Sequence, residues 1–221
     1  MTRFRFAPPM RMLAIALCAF AALVAAPVIA QPQPGTATSA APVASYTELA
    51  GAKLLAALRK GGYVLYFRHA STDFGANDDA MTSFEDCTKQ RNLTDTGRDE
   101  ARAIGTAIRR LDLPIGDVLA SPYCRTMETA TLIFGRATAT PAVRGGPAQA
   151  ESARYADLTK LLSTPVPGGR DRVIVSHGNP FRAVAGGAYL AEGEAAIIEP
   201  LGAAKFRIVA RVRKDEWAGL P

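Results

Sequence analysis

The chain predicts an α/β domain of three layers, a mostly parallel central sheet with helices on both faces. Two apolar runs carry that reading, Tyr63-Val64-Leu65-Tyr66-Phe67 and Val173-Ile174-Val175-Ser176. Both are short and lack polar alternation, as strands covered on both faces do. Segments with apolar residues at helical spacing lie between and around them, and alternation of strand and helix favours parallel pairing. The chain has two histidines, and each stands at the end of one of these runs, His69 after the first and His177 after the second. In open α/β sheets the carboxyl ends of the strands are where ligands gather.

The elements follow in order. Residues 1–30 read as a signal peptide: Arg3, Arg5 and Arg11 precede the apolar stretch Met12 to Ala26, and Val28-Ile29-Ala30 suits cleavage. The stretch is short for a membrane span of about 20 residues, and the alternative is an uncleaved anchor. Residues 31–45 are rich in Pro, Ala, Thr and Ser and read as a flexible linker. Residues 46–221 form one domain, long enough to bury a substantial core.

Within the domain, Thr47 is expected to cap a helix through Leu49, Leu54, Leu55 and Leu58 that Gly61-Gly62 ends. The first strand then delivers Arg68 and His69 into a long polar loop, 70–92. Thr94 caps a second helix with Ala101, Ile104, Ile108 and Leu111 on one face, stopped before Pro114. A strand over 115–120 leads to Ser121-Pro122, read as a cap followed by proline at the first helical position. Arg125 and Thr129 share a face of that third helix. Residues 136–149 are weakly patterned, a loop with room for an edge strand. A helix is expected over 150–162 and a strand over 172–176. Asn179-Pro180 repeats the cap-and-proline device, and strands follow at 195–198 and 206–212.

Charge excludes one class of function. The three leader arginines, taken from 26 basic residues, leave 23 against 20 acidic ones, and no Lys/Arg block or basic stripe remains. Nucleic-acid binding is therefore not expected. Cleavage also leaves two cysteines, Cys87 and Cys124, which in an exported chain permit one disulfide; two buried thiols are the alternative.

Arg68 and His69 follow one strand, Arg125 another and His177 a third, so the fold gathers two guanidiniums and two imidazoles. Arginine meets a phosphate with bidentate, charge-assisted hydrogen bonds, and helix amino ends add free N–H groups. A neutral imidazole nitrogen can attack phosphorus in line. Phosphoryl transfer needs chiefly positioning and charge stabilisation.

Four segments, in order, resemble the histidine phosphatase (phosphoglycerate-mutase-like) superfamily. Arg68-His69-Ala70-Ser71-Thr72 is similar to its Arg-His-Gly-x-Thr signature. Leu93-Thr94-x-x-Gly97 resembles its second helix start. Ser121-x-x-x-Arg125-x-x-x-Thr129-Ala130 resembles its third helix, and Val175-Ser176-His177-Gly178 its late Val-x-His-Gly. The resemblance implies that His69 is the nucleophile, forming a phosphohistidine. It implies that Arg68 and Arg125 grip the phosphoryl oxygens, that His177 completes the pocket, and that Thr72 contacts phosphate. It implies no metal and no cofactor, since arginines supply the charge clamp.

Two departures stand out. Ala70 replaces the signature glycine, which matters only if the backbone there needs positive φ. The proton donor for the leaving group is unmarked: Glu128, Glu151, Asp157 and Asp171 lie in the family's window, Glu151 and Glu194 are preferred, and Asp78 and Asp79 come next. The expectation is an exported, periplasmic or secreted phosphomonoester hydrolase acting on a phosphorylated small molecule, glycan or protein. It has no stable membrane insertion after cleavage. The alternatives are a phosphomutase, or a phosphate-recognising binding domain of the same fold without turnover.

Overall fold

A computed structural model describes residues 48–144 and 153–221. The expected leader, the linker and Glu151 lie outside the described residues. Thr47 does too, but the helix it is expected to cap begins at Gly51 with Ala50 as its N-cap and leaves Leu49 ahead of it, a correction to that expectation. Six strands form one sheet in the order β3-β2-β4-β1-β5-β6. They are β1 (Val64–Arg68), β2 (Ile115–Ala120), β3 (Thr138–Ala139), β4 (Asp171–Ser176), β5 (Ala195–Gly202) and β6 (Lys205–Val212). The three pairings β3·β2, β2·β4 and β4·β1 are parallel, and β5 runs antiparallel to both its neighbours.

The helices are α1 (Gly51–Lys60), α2 (Asp95–Leu111), α3 (Cys124–Phe134), α4 (Ala156–Ser163) and α5 (Gly178–Ala185). The period-2 geometry of β1 sorts them between two faces. Leu65 and Phe67 enter one core with Leu54 and Leu58 of α1, Ile104 and Ile108 of α2, Ile133 of α3 and Trp217. Val64 and Tyr66 enter the other, with Leu158 and Leu162 of α4 and Phe181 of α5. Both faces of β1 are therefore dry, which is why its sequence does not alternate with polar residues.

Local chemistry sets most boundaries. The Thr94 hydroxyl accepts from the Gly97 N–H at 3.0 Å and starts α2, as its sequence predicts. Gly61 ends α1 at φ 76°, and a Cβ there would lie 2.3 Å from the Gly169 carbonyl oxygen. Two further cap expectations are corrected. The N-cap of α3 is Tyr123 rather than Ser121, and that of α5 is His177 rather than Asn179, neither with a side-chain capping bond. Ser121 and Asn179 have other partners, His177 Nε2 and the Tyr189 hydroxyl. The expected helix over 150–162 is described from Ala156 to Ser163. The weakly patterned stretch after α3 holds the two-residue edge strand β3 and a 3-10 turn over Pro141–Val143.

Candidate active site

Strand register assembles the site. Val175 of β4 lies opposite both Phe67 of β1 and Ala120 of β2, so three parallel strands end at one level. The next residues of each chain leave together: Arg68 and His69 from β1, Ser121 from β2, His177 from β4. Backbone bonds continue the ladder past the strand ends, from His69 N–H to Ser176 O and from Ser121 N–H to Val175 O, each 3.0 Å. The two imidazole centroids come to 5.6 Å.

His69 is 2% exposed. Its Nδ1 lies 2.9 Å from the Ala70 carbonyl oxygen, which can only accept, so Nδ1 carries the proton and Nε2 keeps its lone pair. Burial, with the Arg125, Arg68 and Arg91 charges behind it, drives the imidazole down to about 3 against a lift from that carbonyl. His69 is neutral at any ordinary pH. His177 is likewise held well below the usual imidazole range, by burial and then by Arg125 and the other cations. Its Nε2 sits 2.9 Å from the Ser121 hydroxyl, and its carbonyl accepts from the Tyr66 hydroxyl at 2.8 Å.

Both arginines of the expected set are fixed from behind. Arg125, from the first turn of α3, donates to Asp78 Oδ1 at 3.0 Å and to the Arg91 carbonyl at 3.2 Å, and lies over the Tyr123 ring. Arg68 donates to the Leu190 carbonyl at 2.8 Å, with Glu192 Oε1 at 3.6 Å. The α3 motif also explains Thr129. Its hydroxyl donates to the Arg125 carbonyl at 2.6 Å and accepts from the Ala70 N–H at 3.1 Å, joining helix to nucleophile loop. Ala70 itself does not have positive φ, so alanine stands there without strain.

These groups open onto a cavity of about 340 Å³ lined by Arg68, His69, Arg91, Tyr123, Arg125, Arg144, Arg154, Tyr155, His177, Asn179 and Tyr189 among others. Four expected residues thus meet in one place: Arg68, His69, Arg125 and His177. Thr72 does not line the cavity. Its hydroxyl donates to Glu192 Oε1 at 2.6 Å, placing that carboxylate between Arg68 and the Nδ1 side of His69. Glu194 does not line it either, being bound to Arg211 at 2.7 Å and to the Ala191 N–H at 2.6 Å.

Burial would raise the Asp78 carboxyl, but Arg125 and the Arg91 N–H hold it below its ordinary value, in the ionised form. Asp171 lies at the opposite end of β4. Among the described residues no carboxyl lines the cavity, and no cluster of three or more His, Cys, Asp or Glu is arranged to hold a metal.

Sequence reading missed Arg91, Arg144, Arg154 and Glu192. All stand on irregular chain, where no periodicity marks a side chain's direction. The disulfide expectation is met: Cys87 and Cys124 are bonded, with Cα atoms 5.7 Å apart. The bond ties the loop that carries Asp78 and Arg91 to the start of α3, directly beside Arg125.

Comparison with known proteins agrees with this geometry. The family model described as histidine phosphatase superfamily (branch 1) matches residues 64–146, which hold Arg68, His69 and Arg125. No curated protein sequence matches. Among solved structures, the mycobacterial glucosyl-3-phosphoglycerate phosphatase with inorganic phosphate is 14% identical over 70% of this chain and 99% of its own, with a TM-score of 0.50. The protein histidine phosphatase SixA complexed with tungstate is 18% identical over 70% and 98%, with a TM-score of 0.49. A phosphoserine phosphatase mutant from Entamoeba histolytica is 12% identical over 67% and 95%, with a TM-score of 0.47. At 14% identity the likeness to the first of these is one of fold alone. Over residues 64–146 the chain is thus similar to the histidine phosphatase superfamily, and the mostly parallel sheet brings His177 to the His69 loop within that likeness.

Proposed function

We propose that the chain is an exported phosphomonoester hydrolase working through a phosphohistidine on His69. The family match over residues 64–146 supports phosphatase or mutase-like chemistry at the general level. The observation that carries the finer reading is His69 itself: buried, neutral, its Nδ1 proton committed to Ala70, and its Nε2 free at a cavity ringed by arginines. Export rests on the leader of residues 1–30, and a Cys87–Cys124 bond suits an oxidising compartment.

In the first step the Nε2 lone pair bonds to phosphorus and the P–O bond to the leaving group breaks, its electrons going to the leaving oxygen. Arg68 and Arg125 hold the phosphoryl oxygens as charge spreads over them. His177, its Nε2 engaged by Ser121, has Nδ1 left for a phosphoryl oxygen. In the second step a water oxygen bonds to phosphorus, the P–N bond breaks, and neutral His69 returns with inorganic phosphate and a proton.

With no carboxyl lining the cavity among the described residues, the leaving oxygen draws its proton from water or from a group outside them, such as Glu151. Turnover should therefore fall steeply as the leaving group becomes more basic. The same feature favours the second reading, a phosphate binder without turnover. Assay of the chain with para-nitrophenyl phosphate decides between them. Hydrolysis that disappears in His69→Ala supports the hydrolase; saturable phosphate binding with no hydrolysis supports the binder.

A further inference from the structure

A phosphohistidine puts a charge on a ring whose surroundings resist it. When Nε2 bonds to phosphorus while Nδ1 keeps its proton, both ring nitrogens are substituted and the imidazole becomes a cation. Burial disfavours a cationic His69, and so do the guanidiniums of Arg125, Arg68 and Arg91. The Ala70 carbonyl, 2.9 Å from Nδ1, holds the proton but brings no full charge. A counter-charge is needed on the Nδ1 side, away from the incoming phosphoryl group.

Glu192 stands there. Its Oε1 lies 3.8 Å from His69 Nδ1 and 3.6 Å from Arg68, with the side chain 13% exposed. Among the described residues no other carboxylate is paired with the ring. Thr72 fixes the carboxylate twice, its hydroxyl donating to Oε1 at 2.6 Å and its N–H to Oε2 at 3.3 Å. Thr72 is itself held by a bridge to Leu93, just ahead of α2.

The backbone under Glu192 is equally constrained. Ala191 to Glu194 forms a turn closed by a 3.1 Å bond from the Glu194 N–H to the Ala191 carbonyl. Gly193 takes φ 76° in it, a value that favours glycine. Two backbone bonds then tie the turn to the nucleophile: Gly193 N–H to the His69 carbonyl at 2.9 Å, and Arg68 N–H to the Glu194 carbonyl at 3.0 Å. The Glu194 carboxylate locks the turn, accepting from the Ala191 N–H at 2.6 Å and binding Arg211. One glutamate thus rigidifies the turn that aims the other at His69.

We propose that Glu192 is a positioning residue for the covalent step: its carboxylate backs the Nδ1–H side of His69 and balances the charge that the ring gains when Nε2 takes the phosphoryl group. The inference rests on the phosphohistidine reading and adds the group that makes the intermediate tolerable among arginines. Glu192 does not line the cavity, so it acts through the imidazole and not on substrate.

Vanadate and orthophosphate test it on the full chain. Vanadate takes the Nε2 lone pair into a five-coordinate adduct and charges the ring as phosphorylation does. Orthophosphate occupies the same arginines with no new bond to nitrogen. Glu192→Gln keeps an oxygen for the Thr72 hydroxyl and removes the charge. An opposite charge at this range is worth about one to three powers of ten in an ionisation equilibrium. Calorimetric titration of Glu192→Gln should therefore show vanadate weakened about tenfold or more, with orthophosphate kept within about twofold. The kcat/KM for para-nitrophenyl phosphate should fall by a factor like that for vanadate. Thr72→Val keeps the charge but loosens its anchor, and should move vanadate in the same direction by less. Should Glu192→Gln fail to fold, Thr72→Val decides by the same ratio.

Vanadate unchanged, or vanadate and orthophosphate weakened alike, overturns the proposal; the second result would mean that Glu192 only holds Arg68 and the loop. Turnover measured alongside separates the two readings. If the wild type hydrolyses substrate through His69 and Glu192→Gln leaves the ratio intact, this inference falls and the hydrolase reading stands. A wild type that lacks turnover but prefers vanadate loses the hydrolase reading, while the ratio still decides the role of Glu192. A wild type with neither overturns both.

Discussion

The two ends of the central sheet bury ionisable groups in opposite settings. At the carboxyl ends of β1, β2 and β4, His69 and His177 are kept neutral by burial and by a ring of cations. At the start of β4, Asp171 is wholly buried; its Oδ1 accepts from the Tyr63 N–H at 2.9 Å and its Oδ2 has no partner. Burial pushes that carboxyl up to about 7, against the pull of the Tyr63 and Gly62 N–H groups. One end holds unprotonated nitrogen beside positive charge and faces a cavity. The other holds a carboxyl raised to about 7, about half protonated at neutral pH, that ties the start of β4 to Tyr63 just before β1. Burial alone therefore does not mark a site; the difference lies in whether the polar atoms are left facing empty, oppositely chargeable space.

That contrast predicts where substitutions act. At the carboxyl end His69→Ala should abolish turnover, and His177→Ala should lower kcat by several orders of magnitude, with little loss of thermal stability in either. Asp171→Ala should do the reverse, lowering the melting temperature while kcat in the folded fraction is kept. A stable His69→Ala protein with wild-type turnover would break the distinction.

The disulfide belongs to the carboxyl end and should affect both properties. Cys87 and Cys124 are 37 residues apart, and the chain-entropy estimate for such a loop is about 4 kcal/mol less any native strain. Cys87→Ser/Cys124→Ser should therefore lower the denaturant midpoint markedly. It should also raise KM, because Asp78 and Arg91 lose their tether to the helix of Arg125. Loss of stability with KM unchanged would show that the bond only staples the fold.

Acid and base should separate the two ends in sign. His69 falls from an ordinary 6.5 to about 3, so between those values the unfolded chain binds the extra proton and stability drops as pH falls. Asp171 rises from 3.8 to about 7, so across that window the folded chain binds the extra proton and stability drops as pH rises. Relative to the wild type, His69→Gln should thus gain stability from pH 6 to pH 4, and Asp171→Asn from pH 4 to pH 7. Melting temperatures across this range give both slopes, and slopes of equal sign would refute the assignment. Imidazole ionisation near 6.5 should also be missing from the pH dependence of kcat/KM, leaving the substrate's own phosphate ionisation as the acid limb.

The smallest effect lies in the hairpin between β5 and β6, at the Asp171 end. Ala203 and Ala204 both take positive φ, 48° and 58°, in the two-residue turn between Gly202 and Lys205. Alanine is poorly suited to that conformation, whereas Asn-Gly fits it. Ala203→Asn/Ala204→Gly should stabilise by about 1 kcal/mol and leave kcat unchanged.

What was legible in the sequence follows from periodicity and from short motifs on regular elements. The runs before His69 and His177 are apolar because both faces of their strands are covered, and that pattern survives without coordinates. Arg125 and Thr129 were readable as one helix face. Ser121 and Asn179 misled because a polar residue before proline is usually a cap, and here tertiary partners claimed both side chains. Thr72 and Glu194 were expected near substrate and instead hold Glu192 and Arg211. Arg91, Arg144 and Arg154 were invisible, since a loop's side-chain direction is set by contacts distant in sequence. The glycines of two motifs gain a reason only from packing. A Cβ at Gly97 would lie 2.1 Å from the Ser71 carbonyl oxygen, and one at Gly178 would lie 2.0 Å from the Tyr189 ring.

The most direct measurement of the carboxyl end is to trap the intermediate. The chain is mixed for milliseconds with ³²P-labelled para-nitrophenyl phosphate, quenched in alkali and mapped by peptide. Label on His69 that is lost in acid, and is missing from His69→Ala, is the expected result. Acid-stable label on a serine or aspartate, or full turnover in His69→Ala, would contradict nucleophilic catalysis by the buried imidazole.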